Sequence, residues 1–330
     1  MVDLSDPMKR KTNAYRVAII GAGRIAAGFD TLRSRHVLTH AHAIVSNRRL
    51  KLVGITDTDE GRGKHEARKW EADFYPDMEG MLAYLEPDIV VIATPDETHT
   101  DTLLRVLRTH PGLIICEKPA ASDPKDIPKI RSAERERGVP VIVNFRRRFD
   151  PTVRDIQRDM LRERFGKIIS ASALYTKGLF HNGSHAIDLA RLFFGEMTNA
   201  KAHFIVDDFE KGSPSVGGVA AFERCPQFYL MTGDERYFSL FEFEILTEKK
   251  RLRFINEGFS LVSQDVVPDP VFKGYSTLGK ESVRKTGLIR SMSFLMKNAV
   301  AVLDGTEEPI SSLEEALKTE STCLKLKQGL

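Results

Sequence analysis

The chain has 330 residues, enough for two domains of ordinary size, and its 42% hydrophobic and 29% charged residues are typical of a globular protein. Its 49 Lys and Arg residues nearly balance its 46 Asp and Glu residues and no basic block dominates, so nucleic acid is not expected as a partner. No apolar run is long enough to span a bilayer, residues 1–12 are too polar for a secretory signal, and the three cysteines are far apart. We therefore expect a cytoplasmic protein without membrane contact.

The first part of the chain alternates short apolar runs with stretches of helical length. Several of these runs are apolar on both pleat faces, as strands are in a parallel sheet that helices cover on both sides. Strands separated by helix-length segments predict βαβ units, and hence a doubly wound Rossmann sheet. The predicted strands are 15–20, 50–56, 88–94, 112–116 and 139–145.

The sequence GAGRIA, residues 21–26, follows the first predicted strand directly and is expected to open a helix. Gly21 permits a tight turn, Gly23 lets the backbone approach a pyrophosphate, and the small Ala26 allows close packing of helix on sheet. The diphosphate would bind the first amides of that helix, around Arg24 and Ile25. The alternative is a glycine-rich turn without a ligand.

Asp57 follows the second predicted strand. Its carboxylate can accept hydrogen bonds from the adenosine ribose and would repel a 2′-phosphate, which favours NAD over NADP. The spacing from the glycines is longer than usual, and we assign the extra length to an insertion at 29–40. Arg62 and Lys64 are close enough to oppose the preference for NAD, and Asp57 could instead cap the helix that follows.

After residue 150 the pattern changes to a period of two, seen most clearly where Phe and Glu alternate from Phe241 to Glu244. This pattern predicts a mostly antiparallel, open sheet. Helices are expected at 152–164, at 185–194 with Gly195 as its end, and from Ser312 onwards. The predicted strands are 169–175, 200–206, 216–222, 227–231, 238–246 and 251–255.

The predicted fold class is therefore α/β followed by α+β. A dinucleotide-binding Rossmann domain is expected over residues 1–145. An α+β domain for substrate binding and oligomerisation, with a mostly antiparallel open sheet, is expected over residues 146–330.

Three further motifs make a family recognisable: TPDETH at 94–99, EKP at 117–119 and GSHAID at 183–188. Together with GAGRIA and Asp57, they make the chain resemble the Gfo/Idh/MocA oxidoreductases over nearly its whole length. The resemblance implies hydride transfer between NAD(P) and a hydroxyl or carbonyl carbon, usually on a sugar or cyclitol, and thus a part in carbohydrate metabolism. It also implies a homodimer or homotetramer formed through the C-terminal sheet.

The resemblance implies roles for residues at the ends of the predicted strands 88–94 and 112–116 and directly after them. Thr94 and Pro95 would line the nicotinamide side of the cofactor with His99 nearby, and Glu117 and Lys118 would contact the cofactor and flank the reacting carbon. The chemistry agrees, because α/β sheets bind ligands at the carboxyl ends of their strands and alcohol oxidation needs a group that takes a proton. A lysine beside a positively charged nicotinamide is a usable proton donor or acceptor; the alternative is an ordinary surface lysine.

The resemblance makes His185 the general acid/base, and Asp188 could orient its imidazole from the same helical face. The alternative is a histidine bound to backbone. Family members commonly have an aspartate at the position of His181. We expect His181 to lie beside His185, to stay neutral and to bind a substrate hydroxyl. Two histidines at this spacing can also bind zinc, but no further ligand accompanies them, so no metal is predicted.

Arg146, Arg147 and Arg148 follow the predicted strand 139–145. The resemblance places Arg148 near the substrate, where its guanidinium could fork onto a carboxylate or phosphate. For Arg146 and Arg147 two interpretations stay open: a position near the substrate, or a solvated basic face.

The sequence thus predicts an NAD-dependent dehydrogenase acting on the CH–OH group of a sugar, a sugar derivative or a nucleotide-linked sugar. In one alternative, tightly bound NAD is used cyclically, so that the net reaction is an epimerisation or an elimination. In the other, the chain is a non-catalytic regulator that senses NAD and a sugar. Fold alone does not choose among them.

Overall fold

The computed structural model describes residues 14–121, 123, 125–210 and 212–328, so the polar N-terminal segment considered above lies outside the described residues. By its internal contacts the chain divides into two units. The first consists of Met1–Cys116, Ala133–Ile142 and Met292–Pro309, and the second of Glu117–Ser132, Val143–Ser291 and Ile310–Leu330. Two domains that meet after residue 145 stay a prediction.

A six-stranded sheet forms the centre of the first unit. Its strands are β1 (Tyr15–Ile20), β2 (Leu50–Thr56), β3 (Asp73–Tyr75), β4 (Ile89–Ile92), β5 (Leu113–Cys116) and β6 (Val141–Val143). Their order is β3-β2-β1-β4-β5-β6, and β1 pairs in parallel with both β2 and β4. From β1 the chain first adds β2 and β3 on one side and then β4, β5 and β6 on the other. The switch point lies between β1 and β4, and α/β sheets bind ligands at such a point. The predicted Rossmann sheet is confirmed, with the short β3 as an additional strand.

The helices that accompany these strands are α1 (His40–Val45), α2 (Glu60–Lys69), α3 (Met78–Leu85), α4 (His99–Leu107) and α5 (Asp126–Arg137). Aspartates begin two of them: the side chain of Asp59 accepts a hydrogen bond from the amide of Arg62, and that of Asp77 from the amide of Gly80. These bonds satisfy amides that have no partner inside a helix.

One prediction about the first unit is wrong. The glycine motif leads not into a regular helix but into a five-residue π-helical turn, Arg24–Gly28, and α1 begins only at His40. The buried carboxylate of Asp30 ties down the insertion between them. It accepts hydrogen bonds from the hydroxyl of Thr39 and the amide of Leu38, each at 2.6 Å. The insertion is thus an ordered segment fixed by tertiary contacts.

A nine-stranded sheet forms the centre of the second unit. Its strands are β7 (Ile168–Tyr175), β8 (Met197–Glu210), β9 (Ser213–Phe222), β10 (Cys225–Thr232), β11 (Phe241–Thr247), β12 (Lys250–Ile255), β13 (Ser260–Pro268), β14 (Ser276–Leu278) and β15 (Ser282–Lys285). The order is β14-β13-β12-β11-β7-β10-β9-β8, with β15 paired to β13. Because β7 and β10 are parallel and the other pairs are antiparallel, the predicted mostly antiparallel sheet is confirmed.

Helices cover one face of this sheet. They are α6 (Pro151–Leu161), α7 (Ser184–Phe194) and α9 (Leu313–Gln328), whereas α8 (Ser291–Leu303) belongs mostly to the first unit. On α7, Phe193 and Phe194 pack against the sheet residues Phe243 and Phe254 in a shared apolar core. Gly195, with φ of 87°, ends α7 as predicted. No helix in the described ranges is long and apolar enough to cross a bilayer.

Candidate active site

A cavity of about 780 Å³ lies at the carboxyl ends of β1, β2 and β4 in the first unit. It is lined by most of the residues predicted to bind the cofactor: Gly21, Gly23, Arg24, Ile25, Asp57, Thr94 and Pro95. The motifs that the sequence places far apart therefore meet around one space.

The glycines of the motif keep the backbone exposed to this cavity. Gly21 has φ of 90°, and a Cβ there would lie 2.5 Å from the carbonyl oxygen of Ala93, so the position admits only glycine. At Gly23 a Cβ would come no closer than 4.0 Å to Ala93, so the protein interior does not require a glycine there. A side chain would instead occupy the cavity. This arrangement fits a ligand that approaches the backbone as a dinucleotide diphosphate does.

Asp57 supplies an ionised acceptor to the same cavity. Its carboxylate accepts hydrogen bonds from the amide of Ala22 at 2.6 Å and from Nη2 of Arg62, also at 2.6 Å. Burial alone would raise the pKa of Asp57, but these bonds outweigh it and hold the pKa below its usual range. Lys64 pairs with Glu60 instead, so Arg62 and not Lys64 is the cation that lines the cavity beside Asp57.

His99 supports the loop that carries Thr94 and Pro95. Its side chain is buried at the start of α4, and its Nε2 lies 2.8 Å from the carbonyl oxygen of Thr94. The hydroxyl of Thr98 donates to Thr94 Oγ1 at 2.8 Å. His99 was predicted among the cofactor-binding residues; in the structure it is placed to position Thr94.

Lys118 and His181 come together in the second unit. Nζ of Lys118 lies 3.4 Å from Nδ1 of His181, which belongs to a π-helical turn, Gly178–Gly183, just before α7. The His181 ring also packs against Phe209, with ring centroids 5.3 Å apart. Burial, reinforced by Lys118 and Lys177, lowers the pKa of His181 to about 3. His181 is therefore neutral at physiological pH and can accept a hydrogen bond from Lys118.

His185 lies on α7, buried, with its ring edge-on to Phe145 at 5.7 Å. Burial is the largest cause of a pKa well below the usual value, and the charges of Arg147 and Lys118 add to it. Its Nδ1 makes no hydrogen bond to any residue in the described ranges. His185 is thus a second neutral imidazole near Lys118, and those ranges contain no group of three side chains suited to bind a metal ion.

Asp188 does not orient His185 as predicted. Its carboxylate accepts hydrogen bonds from Nε of Arg148 at 2.9 and 3.0 Å and from the hydroxyl of Thr319 at 3.2 Å. Arg148 also pairs with Glu315 at 3.4 Å. Arg148 and Asp188 are both buried, so they form an internal ion pair that joins the segment after β6 to α7 and α9. The guanidinium predicted to bind substrate is occupied by protein carboxylates.

Two side chains that hold the EKP segment were not predicted. Glu320 on α9 is buried, and its carboxylate accepts hydrogen bonds from the amides of Ala120 and Ala121 at 2.6 and 2.8 Å. Asn144 donates to Glu117 at 2.7 Å. These contacts hold the backbone that follows Lys118 and the Glu117 side chain that precedes it. No local pattern could show them, because Glu320 lies far along the chain in a separate helix.

Comparison with known proteins also points to a family of nucleotide-binding oxidoreductases. Residues 15–145 match a family model described as an oxidoreductase family with an NAD-binding Rossmann fold. Inositol 2-dehydrogenase 2 of Saccharopolyspora erythraea is 29% identical over 201 residues, which make up 57% of this chain and 56% of that protein. The chain spans about half the length of the curated relatives it matches.

Two solved structures share the fold along nearly the whole chain. The WlbA dehydrogenase of Bordetella pertussis, in complex with NADH and UDP-GlcNAcA, matches with a TM-score of 0.78 and 17% identity over 96% of each chain. A 3-ketoreductase from Actinomadura kijaniata, in complex with NADP and TDP-benzene, matches with a TM-score of 0.74 and 19% identity over 96% of this chain and 98% of that one. At these identities the similarity concerns the fold alone.

Proposed function

Because the chain belongs to the Gfo/Idh/MocA oxidoreductase family, we propose that it is an NAD-dependent dehydrogenase acting on the CH–OH group of a sugar, a sugar derivative or a nucleotide-linked sugar. The observation that carries the proposal is the contact between Lys118 and a neutral His181 in a chain that also has a dinucleotide cavity. The inositol dehydrogenase and the UDP-GlcNAcA complex among its relatives support a polyhydroxylated substrate.

The protein residues supply the proton chemistry. Bound nicotinamide provides the hydride acceptor, so the side chains must orient the substrate hydroxyl and take its proton. We assign that proton transfer to Lys118. A neutral His181 can accept a hydrogen bond from either protonation state of the amine, so it can hold Nζ in place before and after the transfer. His185, neutral and buried, is assigned as the partner acid/base.

His181 is also proposed to bind a substrate hydroxyl. Phe209, which packs against His181 and is 39% exposed, offers a flat apolar surface next to it. A ring nitrogen beside an apolar face suits a sugar or cyclitol, which presents hydroxyl groups at its edge and C–H groups on its faces.

We assign NAD as the cofactor, with NADP disfavoured, because the ionised carboxylate of Asp57 lines the cavity where a ribose would bind. Gly21, Gly23 and the following turn are assigned to the diphosphate, and Thr94 and Pro95 to the nicotinamide side.

The assembly is proposed to be a homodimer or homotetramer formed through the open face of the second sheet, in the cytoplasm. On that face Val219 of β9 lies directly opposite Tyr229 of β10, and their side chains are 39% and 43% exposed. Apolar side chains side by side on an open sheet face support an interface between copies.

The proposed function is tested in two steps. Native mass spectrometry of the purified protein should detect a bound or added nicotinamide nucleotide. Incubation with NAD and a panel of cyclitols, hexoses and nucleotide-linked sugars should then yield reduced cofactor with at least one of them. Failure to bind the nucleotide contradicts the proposal. Consumption of substrate by a permanently bound nucleotide, without net reduction, would indicate epimerisation or elimination.

A further inference from the structure

Arg146 and Arg147 do not form a solvated basic face, which was one of the two interpretations of the sequence, and the turn that they share with Arg148 is largely buried. The side chains of Arg147 and Arg148 are 7% and 4% exposed, and Arg146 is partly buried. A guanidinium taken out of water must be compensated by hydrogen bonds and opposite charge, or the folded state loses stability. The hydrogen bonds and carboxylates around each buried guanidinium therefore indicate whether that arginine has a structural role or binds a ligand.

Two buried arginines of the second unit have carboxylate partners within the protein. Arg148 pairs with Asp188 at 2.8 Å. Arg191, which is 5% exposed, pairs with Glu196 at 2.6 Å and with Glu315 at 3.2 Å. These pairs meet the full requirement of a buried guanidinium, as expected for structural ion pairs.

Arg146 and Arg147 are compensated differently. Within the described ranges neither has a carboxylate oxygen within 4.0 Å, and in each the buried Nε makes no hydrogen bond. Their single hydrogen bonds go to the carbonyl oxygens of Leu288 and Glu257, both at 3.3 Å. Arg147 also lies 3.6 Å from the ring centroid of Phe241, which offers a weaker interaction than a carboxylate does.

The carboxylates that act on the two arginines do so through charge and without a hydrogen bond: Glu117 and Asp150 act on Arg146, and Glu257, Asp188 and Asp150 act on Arg147. Asp150 accepts hydrogen bonds from the amides of Thr152 and Gly287. Glu257 acts on Arg147 only through charge at longer range. Burial therefore prevails and lowers the pKa of Arg147 to about 9, and Arg146 next to it adds to the effect. The two guanidinium groups thus form a positive site to which no carboxylate of the described residues is hydrogen-bonded.

This positive site adjoins the proposed acid/base cluster. Arg147, Lys118 and Arg146 are the charged groups that act most strongly on His185, and all three are cations. Lys177 adds a further cation near His181, while Glu117 is the acidic group that acts there. A substrate bound at this cluster would therefore meet an excess of positive charge.

We infer that the substrate is an acidic sugar or cyclitol, whose carboxylate or phosphate binds the guanidinium groups of Arg146 and Arg147. The inference rests on the proposed function and narrows its substrate class. Guanidinium groups fork onto carboxylate and phosphate oxygens with two parallel hydrogen bonds, and such an anion would supply the charge that the protein lacks here. A neutral hexose or inositol has no group that would do so.

Isothermal titration with NAD present tests this with three probes of similar size: glucuronate, glucose 6-phosphate and glucose. We expect at least one charged probe to bind about tenfold or more tightly than glucose, the equivalent of one charge-assisted hydrogen bond. Arg147→Met should reduce that affinity to the level of glucose. Arg154→Met, which removes an exposed arginine on α6, should leave it unchanged. Tighter binding of glucuronate would identify a carboxylate as the anion that the site prefers, and tighter binding of glucose 6-phosphate would identify a phosphate.

Circular dichroism and thermal unfolding verify that Arg147→Met is folded. If it is not, Arg146→Met and the comparison of the three probes on the wild type test the inference instead. Equal binding of charged and neutral probes, no binding of either charged probe, or undiminished binding by the variant would overturn the inference. Binding of glucuronate through Arg147 without any NAD reduction would instead contradict the dehydrogenase while leaving the anion site standing. Reduction of NAD with neutral sugars alone would contradict the anion site while leaving the dehydrogenase standing.

Discussion

Asp57 and Arg62 place opposite charges at the ribose end of the cofactor cavity. The carboxylate suits the ribose hydroxyls of NAD, whereas the guanidinium suits a 2′-phosphate. In Asp57→Ser the acceptor is lost and Arg62 is released, so we expect NAD affinity to fall about tenfold and NADP affinity to rise. Titration of both cofactors measures this, with Arg62→Met as the matched variant that should weaken NADP alone. Equal affinity of the wild type for both cofactors would contradict the assignment of NAD.

His181 and His185 are both buried, and this predicts an unusual pH dependence. Burial lowers the pKa of His181 to about 3, and it also places the pKa of His185 well below its usual range. Both imidazoles therefore stay neutral well into the acidic range. In His181→Asp a carboxylate would raise the pKa of His185, so protonation would remove activity at a higher pH.

We expect the acid limb of kcat/KM against pH to move upward by about one unit in His181→Asp, which corresponds to roughly 1.4 kcal/mol of interaction. His181→Asn is the control, because it removes the ring without adding charge and should not show the upward shift. Superimposable profiles of the wild type and His181→Asp would remove His181 from the neighbourhood of the reacting groups.

At the level of elements, the ion pair of Arg148 with Asp188 connects the turn after β6 to α7, and Thr319 of α9 joins it. Arg148→Met would leave the carboxylate of Asp188 buried without its counter-ion. We expect the free energy of unfolding to fall by about 3 kcal/mol or more, as for other broken buried pairs. Urea denaturation measures it. Arg147→Met is the matched variant, and it should cost clearly less because no carboxylate loses its partner. Equal losses in the two variants would contradict the distinction between structural and substrate-binding arginines.

The sequence predicted elements well where burial leaves a pattern. β1 and β2 begin and end where predicted, because most of their residues are buried and apolar, with only Arg16 and Lys51 exposed. β15 was missed because all four of its residues are exposed, so no buried face gives its sequence a period of two. The prediction of a regular helix after the glycine motif was wrong because tertiary contacts, those of Asp30 with its partners, determine the path of the insertion.

The candidate site likewise has residues that local motifs reveal and contacts that only the fold creates. Lys118 and His181 were found because each lies in or beside a short motif, and the structure brings them to 3.4 Å. The contact of Glu320 with the amides after Lys118 joins residues about as far apart in sequence as a whole domain is long, so no local signal exists. The difference between Arg147 and Arg148 likewise depends on which carboxylates the fold brings near.

For the whole molecule, the proposed assembly predicts a mass larger than that of one chain. Light scattering after size exclusion should give a dimer or tetramer at micromolar concentration. Tyr229→Glu, on the open face of the second sheet, should shift the mass toward the single chain because it introduces charge into an apolar interface. Tyr84→Glu, at a 78% exposed position on α3, is the control and should have no effect. A wild-type monomer would contradict the assembly.

Turnover of Lys118→Met tests the central claim, an NAD-dependent dehydrogenase with Lys118 as its proton-transfer group, most directly. Steady-state reduction of NAD on the best substrate of the panel should fall by a factor of about 100 or more, as expected when a group that moves a proton is lost. The affinity for NAD should be nearly unchanged, because the cavity that binds it is lined by other residues. Lys129→Met, at an exposed position on α5, should retain wild-type turnover. Near wild-type turnover by Lys118→Met would contradict the mechanism proposed for this chain.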